Sequence, residues 1–284
     1  GVNVARALQL KTLETYHTFF EEYFYHYLPL APRWALQAAA RTISRRQCDA
    51  VDAVVAPSQQ MAAVLQGYGV RTPIKVIPTG LDLSEFVAGD GAAFRSTYGI
   101  DPARPVMLLV GRVAHEKNIG FVLRVLAQVR KSIGDVLLVI AGEGPALESL
   151  QRDVRRAGLA DHVLFVGYLD RRGALLDCYR AANVFVFASR TETQGLVLLE
   201  ALALGVPVVS TAVLGTKEVL ANARGAIIVD EDAETFARAV AEVLREPELQ
   251  RSLAQDARSY VATEWSSTEM ARRLLLLYGD LLQR

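Results

Sequence analysis

From Val106 onward the chain alternates short apolar, β-branched runs with amphipathic stretches, which is the pattern of βαβ units that build a parallel sheet. The runs predict strands at Val106 to Val110, Val136 to Ala141, His162 to Val166, Val184 to Ala188, Val206 to Ser210 and Ala226 to Val229. They lack polar alternation, as strands covered on both faces do. Helical periodicity fills the gaps at Ile119 to Ser132, Ala146 to Ala157, Arg172 to Ala182, Gly195 to Leu204 and Ala233 to Leu244. Before Val106 the pattern is sparser: strands near Leu13 to Tyr16, at Ala53 to Ala56 and at Lys75 to Ile77, with a helix after Ser58. Two helical patterns, Pro247 to Glu264 and Trp265 to Arg284, close the chain without a further strand.

The expected architecture is therefore α/β with two Rossmann-like, doubly wound domains. Residues 1–80 read as the later part of an N-terminal domain, 81–105 as a linker rich in Gly and Pro, 106–264 as the C-terminal domain, and 265–284 as a helix crossing back. Too few strands precede Pro78 for a complete domain, and Gly1 stands where an initiator Met would, so the N-terminal domain is expected to be incomplete.

Composition narrows the function. The chain has 284 residues, 51% of them hydrophobic, with Lys+Arg 31 balancing Asp+Glu 31. That supports two folded units and argues against nucleic-acid binding by counterion release. The two cysteines, Cys48 and Cys178, make neither a disulfide framework nor a CxxC site, and they suit a reducing cytoplasm. No apolar run approaches the roughly 20 residues that span a bilayer. There is no His/Cys constellation, and neither a metal nor a resident cofactor is expected.

Candidate chemistry sits just after two strands. In Ala188 to Val209, a strand end, a polar loop, a helix and a strand follow one another, with Glu192 and Glu200 eight residues apart. If helical, that spacing spans about 12 Å, enough for both to touch one extended ligand. The helix should start near Gln194 or Gly195, presenting free N–H groups and the positive dipole end at the sheet's carboxyl edge. Taken singly, Glu192 reads as a solvated loop acid and Glu200 as an exposed helical residue, yet Glu200 is embedded in a Leu- and Ala-rich run. The second cluster is Val110-Gly-Arg-Val-Ala-His-Glu-Lys-Asn-Ile119, where Arg112 and Lys117 offer a planar fork and a point charge suited to a diphosphate. Asn118 is a candidate N-cap, while His115 and Glu116 are expected to face solvent.

These motifs resemble the retaining glycosyltransferases of the GT-B fold, family 4 (glycosyl transferases group 1), including their glycolipid-synthesising kind. The resemblance extends to Val76-Ile-Pro-Thr-Gly-Leu-Asp82, Phe86, Ala141-Gly-Glu-Gly-Pro145, Val166-Gly-Tyr168 and the Trp265 helix. It implies transfer of a hexose from a UDP- or GDP-sugar to a carbohydrate or lipid hydroxyl, with no metal. It assigns Gly111, Arg112 and Lys117 to the donor diphosphate, Glu192 to the sugar hydroxyls and Glu200 to the ribose. Backbone amides near Thr193, Gln194, Gly195 and Leu196 would complete the phosphate cradle, with Gly144 and Tyr168 bordering the nucleotide. His17, which alone reads as a packed histidine, matches the family's sugar-pocket histidine from the opposite domain. Attack from the front face, with the departing phosphate oxygen taking the acceptor proton, is the mechanism so implied.

The match has departures. Glu192-Thr-Gln-Gly195 stands where relatives often have Glu-Ser or Glu-Gly before Phe-Gly, and Leu214-Gly-Thr-Lys-Glu218 replaces paired glycines. The family's Gly-rich loop in the first N-domain turn has no counterpart, so the chain by itself is expected to be short of a full acceptor site. Two other readings stand beside transfer: a non-catalytic nucleotide-sugar-binding module and a nucleotide-sugar epimerase. Finally, seven aromatics (Tyr16, Phe19, Phe20, Tyr23, Phe24, Tyr25, Tyr27) followed by Arg33, Arg41, Arg45 and Arg46 suit either internal packing or contact with anionic lipid headgroups at the inner membrane face.

Overall fold

A computed structural model of the chain describes residues 1–21 and 32–283, the side chain of residue 33 excepted. Tyr23, Phe24, Tyr25 and Tyr27 lie outside the described residues.

After a short helix α1 (Val2–Ala7), a three-stranded parallel sheet forms from β1 (Leu13–Thr15), β2 (Ala53–Ala56) and β3 (Ile74–Val76), in that spatial order. Helix α2 (Arg33–Cys48) leads into β2, and α3 (Gln59–Gly67) joins β2 to β3. Ser58 caps α3 through its side chain, which accepts from the Met61 N–H. The central strand β2 is buried along its whole length. Val54 and Ala56 pack with Tyr16, Cys48, Met61 and Leu65 on one face, and Ala53 and Val55 meet Leu277 and Leu281 on the other. Those two leucines belong to the final helix, α12 (Ser267–Leu282).

The second sheet has six parallel strands in the order β6-β5-β4-β7-β8-β9: Val163–Gly167, Leu137–Ala141, Val106–Val110, Val184–Phe187, Val208–Ser210 and Ala226–Ile228. This is the doubly wound order in which the chain starts centrally at β4, builds outward, then returns to the other side at β7. Period-two alternation divides the strand side chains between two cores. Leu108, Val139, Phe185, Phe187 and Val208 pack toward α7 (Ala174–Ala181), α8 (Leu196–Ala203) and α11 (Pro247–Glu264). Met107, Leu109, Leu138, Ile140, Val186 and Val209 pack toward α5 (Ile119–Ile133), α6 (Leu147–Arg156) and α10 (Ala233–Arg245).

Differences from the sequence reading are local. The strands at 136 and 206 begin later because the Val136 N–H turns back to the Gly134 carbonyl and the Val206 N–H to that of Ala201, closing the preceding turns. Between Gly80 and Pro105 lies an unforeseen helix, α4 (Gly91–Thr97), capped by Asp90, whose carboxylate accepts from the Ala92 and Ala93 N–H groups. Phe94 of α4 is buried in the core shared with α7. A short helix α9 (Thr216–Leu220) follows β8 and was equally unsignalled. No helix among the described residues is long and apolar enough to cross a membrane.

Candidate functional site

In an open α/β sheet the crevice forms where strand order reverses, because neighbouring connections leave in opposite directions there. Here that point lies between β4 and β7. The cleft at their carboxyl ends has a volume of about 580 Å³ and is lined by Val110, Gly111, Arg112, Lys117, Arg171, Phe187, the run from Glu192 to Val197, and Glu200. From the three-stranded side, His17 and Thr79 close it.

Arg112 and Lys117 reach the cleft because β4 ends at Val110 and the chain passes through a tight turn at His115–Lys117 before α5. Lys117 forms an ion pair with Glu192, both side chains being largely shielded from solvent. Arg112 lies 3.8 Å from Glu116, whose side chain is only 3% exposed, so Glu116 is not the solvent-facing acid expected from sequence: it is drawn inward beside the guanidinium. His115 is exposed, as anticipated. Asn118 stands at the N-cap position of α5 but in the left-handed region (φ 55°), and its side chain makes no cap. Its amide donates instead to the Ala188 carbonyl at 3.3 Å, tying the β4 loop to the end of β7.

The second half of the site is the segment before α8. Glu192 lies in a loop and only the stretch from Leu196 is helical, so the two glutamates are not stacked on one helix as the 12 Å estimate assumed. Gly195 takes φ 91°, a region in which a side chain is strained, and an added Cβ would also press on Thr216 at 3.0 Å. No side chain caps α8, so its N-terminal N–H groups and positive dipole end are free for an anion at the cleft. The side chains of Thr193 and Gln194 are turned to the other sheet. Thr193 donates to the His17 carbonyl (3.1 Å), Ser58 donates to the Thr193 carbonyl (2.8 Å), and the Gln194 amide both accepts from the Thr79 N–H (2.8 Å) and donates to its carbonyl (2.7 Å).

Glu200 is buried rather than exposed. Its carboxylate accepts from Tyr179 Oη at 2.9 Å and is paired with Arg171, which reaches over from the loop after β6. Burial and the adjacent Glu200 charge push the Tyr179 phenol well above its ordinary range, so it stays a proton donor.

Ten of the twelve residues named from sequence thus share one cleft: His17, Gly111, Arg112, Lys117, Glu192, Thr193, Gln194, Gly195, Leu196 and Glu200. Gly144 and Tyr168 are not among its lining. A Cβ on Gly144 would collide with the Val113 carbonyl, so this glycine serves the close packing of the β5 loop on the β4 loop. Tyr168 is 70% exposed. Arg171, Tyr179, Thr79 and Ser58 were missed. Arg171 carried a usable signal, a basic pair at a strand's carboxyl end, whereas Tyr179 looked like any core aromatic of an amphipathic helix.

Comparison with known proteins bears on the family and the fold. Residues 91–260 match the family described as Glycosyl transferases group 1, and residues 1–85 match Glycosyltransferase Family 4. The chain is 35% identical over 215 residues to the alpha-monoglucosyldiacylglycerol synthase of Streptococcus pneumoniae, covering 74% of this chain and 48% of that protein. It is 30% identical over 258 residues to the GDP-mannose-dependent alpha-(1-6)-phosphatidylinositol monomannoside mannosyltransferase of Mycolicibacterium smegmatis, covering 87% and 67% respectively. The chain therefore spans about half to two thirds of the length of these relatives. Among solved structures, sucrose-phosphate synthase from Thermosynechococcus elongatus superposes with a TM-score of 0.82 at 26% identity, over 99% of this chain and 71% of that one. The architecture is GT-B, and with a family match over more than half of its residues the chain belongs to the glycosyl transferases group 1 family.

Proposed function

We propose that the protein transfers a hexose from a nucleoside diphosphate sugar to a hydroxyl acceptor, with retention at the anomeric carbon and without a metal ion. The observation that carries this reading is the convergence of Arg112, Lys117, Glu192, Glu200 and the uncapped N-terminus of α8 on one cleft at the strand-order reversal. Two cations and a helix N-terminus suit a diphosphate. Carboxylates at either end suit hydroxyl groups, Glu192 those of the sugar and Glu200 those of the ribose. Lys117 and Glu192 are paired at the cleft wall, which sets the carboxylate beside the diphosphate position.

The reaction breaks the bond between the sugar's anomeric carbon and the diphosphate oxygen and forms one from the acceptor oxygen on the same face. The leaving phosphate oxygen takes the acceptor proton, while Arg112, Lys117 and the α8 amides stabilise the charge that accumulates there. His17 approaches the sugar from the opposite domain. Within this reading residues 1–80 and 106–264 act as the acceptor and donor domains, 81–105 connects them, and 265–284 braces the first against the second.

The relatives' names favour transfer over epimerisation or bare binding, and two of them concern diacylglycerol and phosphatidylinositol compounds, which points to a lipid acceptor. Helix α2 fits that setting: Trp34 and Ile43 are exposed on the same helix as the exposed Arg45 and Arg46, a combination suited to anionic headgroups at the cytoplasmic membrane face. UDP-glucose and GDP-mannose are the donors to try first.

Thermal-shift titration of the full chain with UDP, GDP, ADP and their sugars should show stabilisation by one base over the others. Turnover with that donor should yield an α-linked product by NMR and persist in excess EDTA. A β-linked product would remove retention, and full loss of activity in EDTA restored by a divalent cation would remove metal independence.

A further inference from the structure

Glu200 is held in two unlike ways. Its side chain is 3% exposed, and an ionised carboxylate so far from water needs partners. One oxygen accepts from Tyr179 Oη at 2.9 Å, and the Tyr179 side chain is completely buried between β7 and α8. A weaker acceptor, the Val197 carbonyl, lies 3.3 Å from the same hydroxyl, so the single proton favours the charged oxygen. The other oxygen is paired with Arg171, whose side chain is 65% exposed on the loop between β6 and α7. The inner partner is part of the packed domain, and the outer one stands at the cleft wall where a ligand enters.

We propose that Tyr179 is a positioning residue that aims Glu200 at the ribose hydroxyls of the nucleotide, and that Arg171 is an exchangeable partner that those hydroxyls displace. A carboxylate oxygen has capacity for a second hydrogen bond, so Tyr179 stays in place when a vicinal diol binds both oxygens. Arg171 swings into solvent at little cost because most of its side chain is already there. Before the nucleotide arrives it neutralises a charge that would otherwise be buried alone.

This inference rests on the donor-site reading, and one set of titrations separates the two. The full chain and its variants are titrated with UDP and GDP and with the corresponding 2′-deoxynucleoside diphosphates. The unsubstituted protein should prefer the ribose form by about tenfold or more, the size expected for a hydrogen bond to a charged group. Glu200→Leu should lose most of that preference. If it keeps it, the donor-site reading fails. Tyr179→Phe should lose most of the preference while retaining the diphosphate-dependent part of binding. If it keeps the full preference while Glu200→Leu does not, Tyr179 does not position Glu200. Should Tyr179→Phe not fold, adding Glu200→Leu must restore folding, since the stranded charge is then removed, and failure to do so also overturns the assignment. Arg171→Ala should bind the ribonucleotide at least as tightly as the unsubstituted protein and keep the ribose preference. A tenfold weakening there would make Arg171 a ligand contact and overturn the displacement.

Discussion

At the scale of single residues, charge placement governs the site. Arg112 extends from the end of the innermost strand, and its planar fork can hold two phosphate oxygens where Lys117 offers only a point charge. Removing a group that stabilises charge only in the transition state typically costs about 2.7–4 kcal/mol. Arg112→Ala should therefore lower kcat by two to three orders of magnitude in initial-rate measurements while the fold, judged by its melting curve, is retained. Near-normal turnover would take Arg112 out of the chemistry. That Arg112, Lys117, Glu192 and Glu200 would meet in one cleft was legible in the sequence, because the first three follow recognisable strands and Glu200 lies inside the recognisable helix that comes next. Glu116 was misread because it sits in a short 3-10 turn, where no helical or strand periodicity tells an inward side chain from an outward one.

At the scale of elements, each helix shows how its own sequence holds it and where charge helps. In α12, Ser266 caps the first turn, accepting from the Glu269 N–H, and Glu269 lies between Arg272 and Arg273 on the same face at 2.8–3.0 Å. Hydrogen bonds from those two guanidinium groups hold the Glu269 carboxyl at about 2, below the usual carboxylate range. A group whose folded-state value is depressed adds stability that is complete above its unfolded value and fades as pH falls toward the folded one. The melting-temperature gap between the unsubstituted chain and Glu269→Gln should thus be present at pH 7 and shrink between about pH 5 and 2. A gap that is constant across that range, or that widens in acid, would show that the arginines do not act through the ionised carboxylate. Helix α4 teaches a different lesson about elements. Its glycine-flanked sequence resembles a linker, yet Asp90 caps it and Phe94 anchors it in the core, so burial outweighed local propensity.

At the scale of the whole molecule, the segment that leaves the three-stranded part pairs through its backbone with the start of α12. The Leu81 N–H donates to the Trp265 carbonyl and the Ser267 N–H to the Leu81 carbonyl, both at 2.8 Å. This pairing is possible because Gly80 has no side chain: a Cβ there would stand 2.6 Å from Ser267 Cα. Gly80→Ala should destabilise the chain by about 1–3 kcal/mol, as overpacking does, measured by urea unfolding. An unchanged midpoint would mean that the segment relaxes freely. Across the cleft, Gln194 grips the backbone of Thr79 from both sides, a use of the residue that the motif Glu192-Thr-Gln-Gly195 did not announce.

What the sequence determined by itself was local in origin. Six unbroken apolar runs separated by amphipathic stretches can bury both strand faces only in a helix-covered parallel sheet, and the polar segments after two of those runs then had to meet at its carboxyl edge. The tertiary structure alone decided which groups touch. It placed Lys117 against Glu192 across 75 positions, Arg171 and Tyr179 on Glu200 across 29 and 21, and Thr79 on Gln194 across 115. Such pairings leave no periodic trace, because hydrogen bonds and ion pairs depend on distance through space, which the chain sets only after its cores have packed.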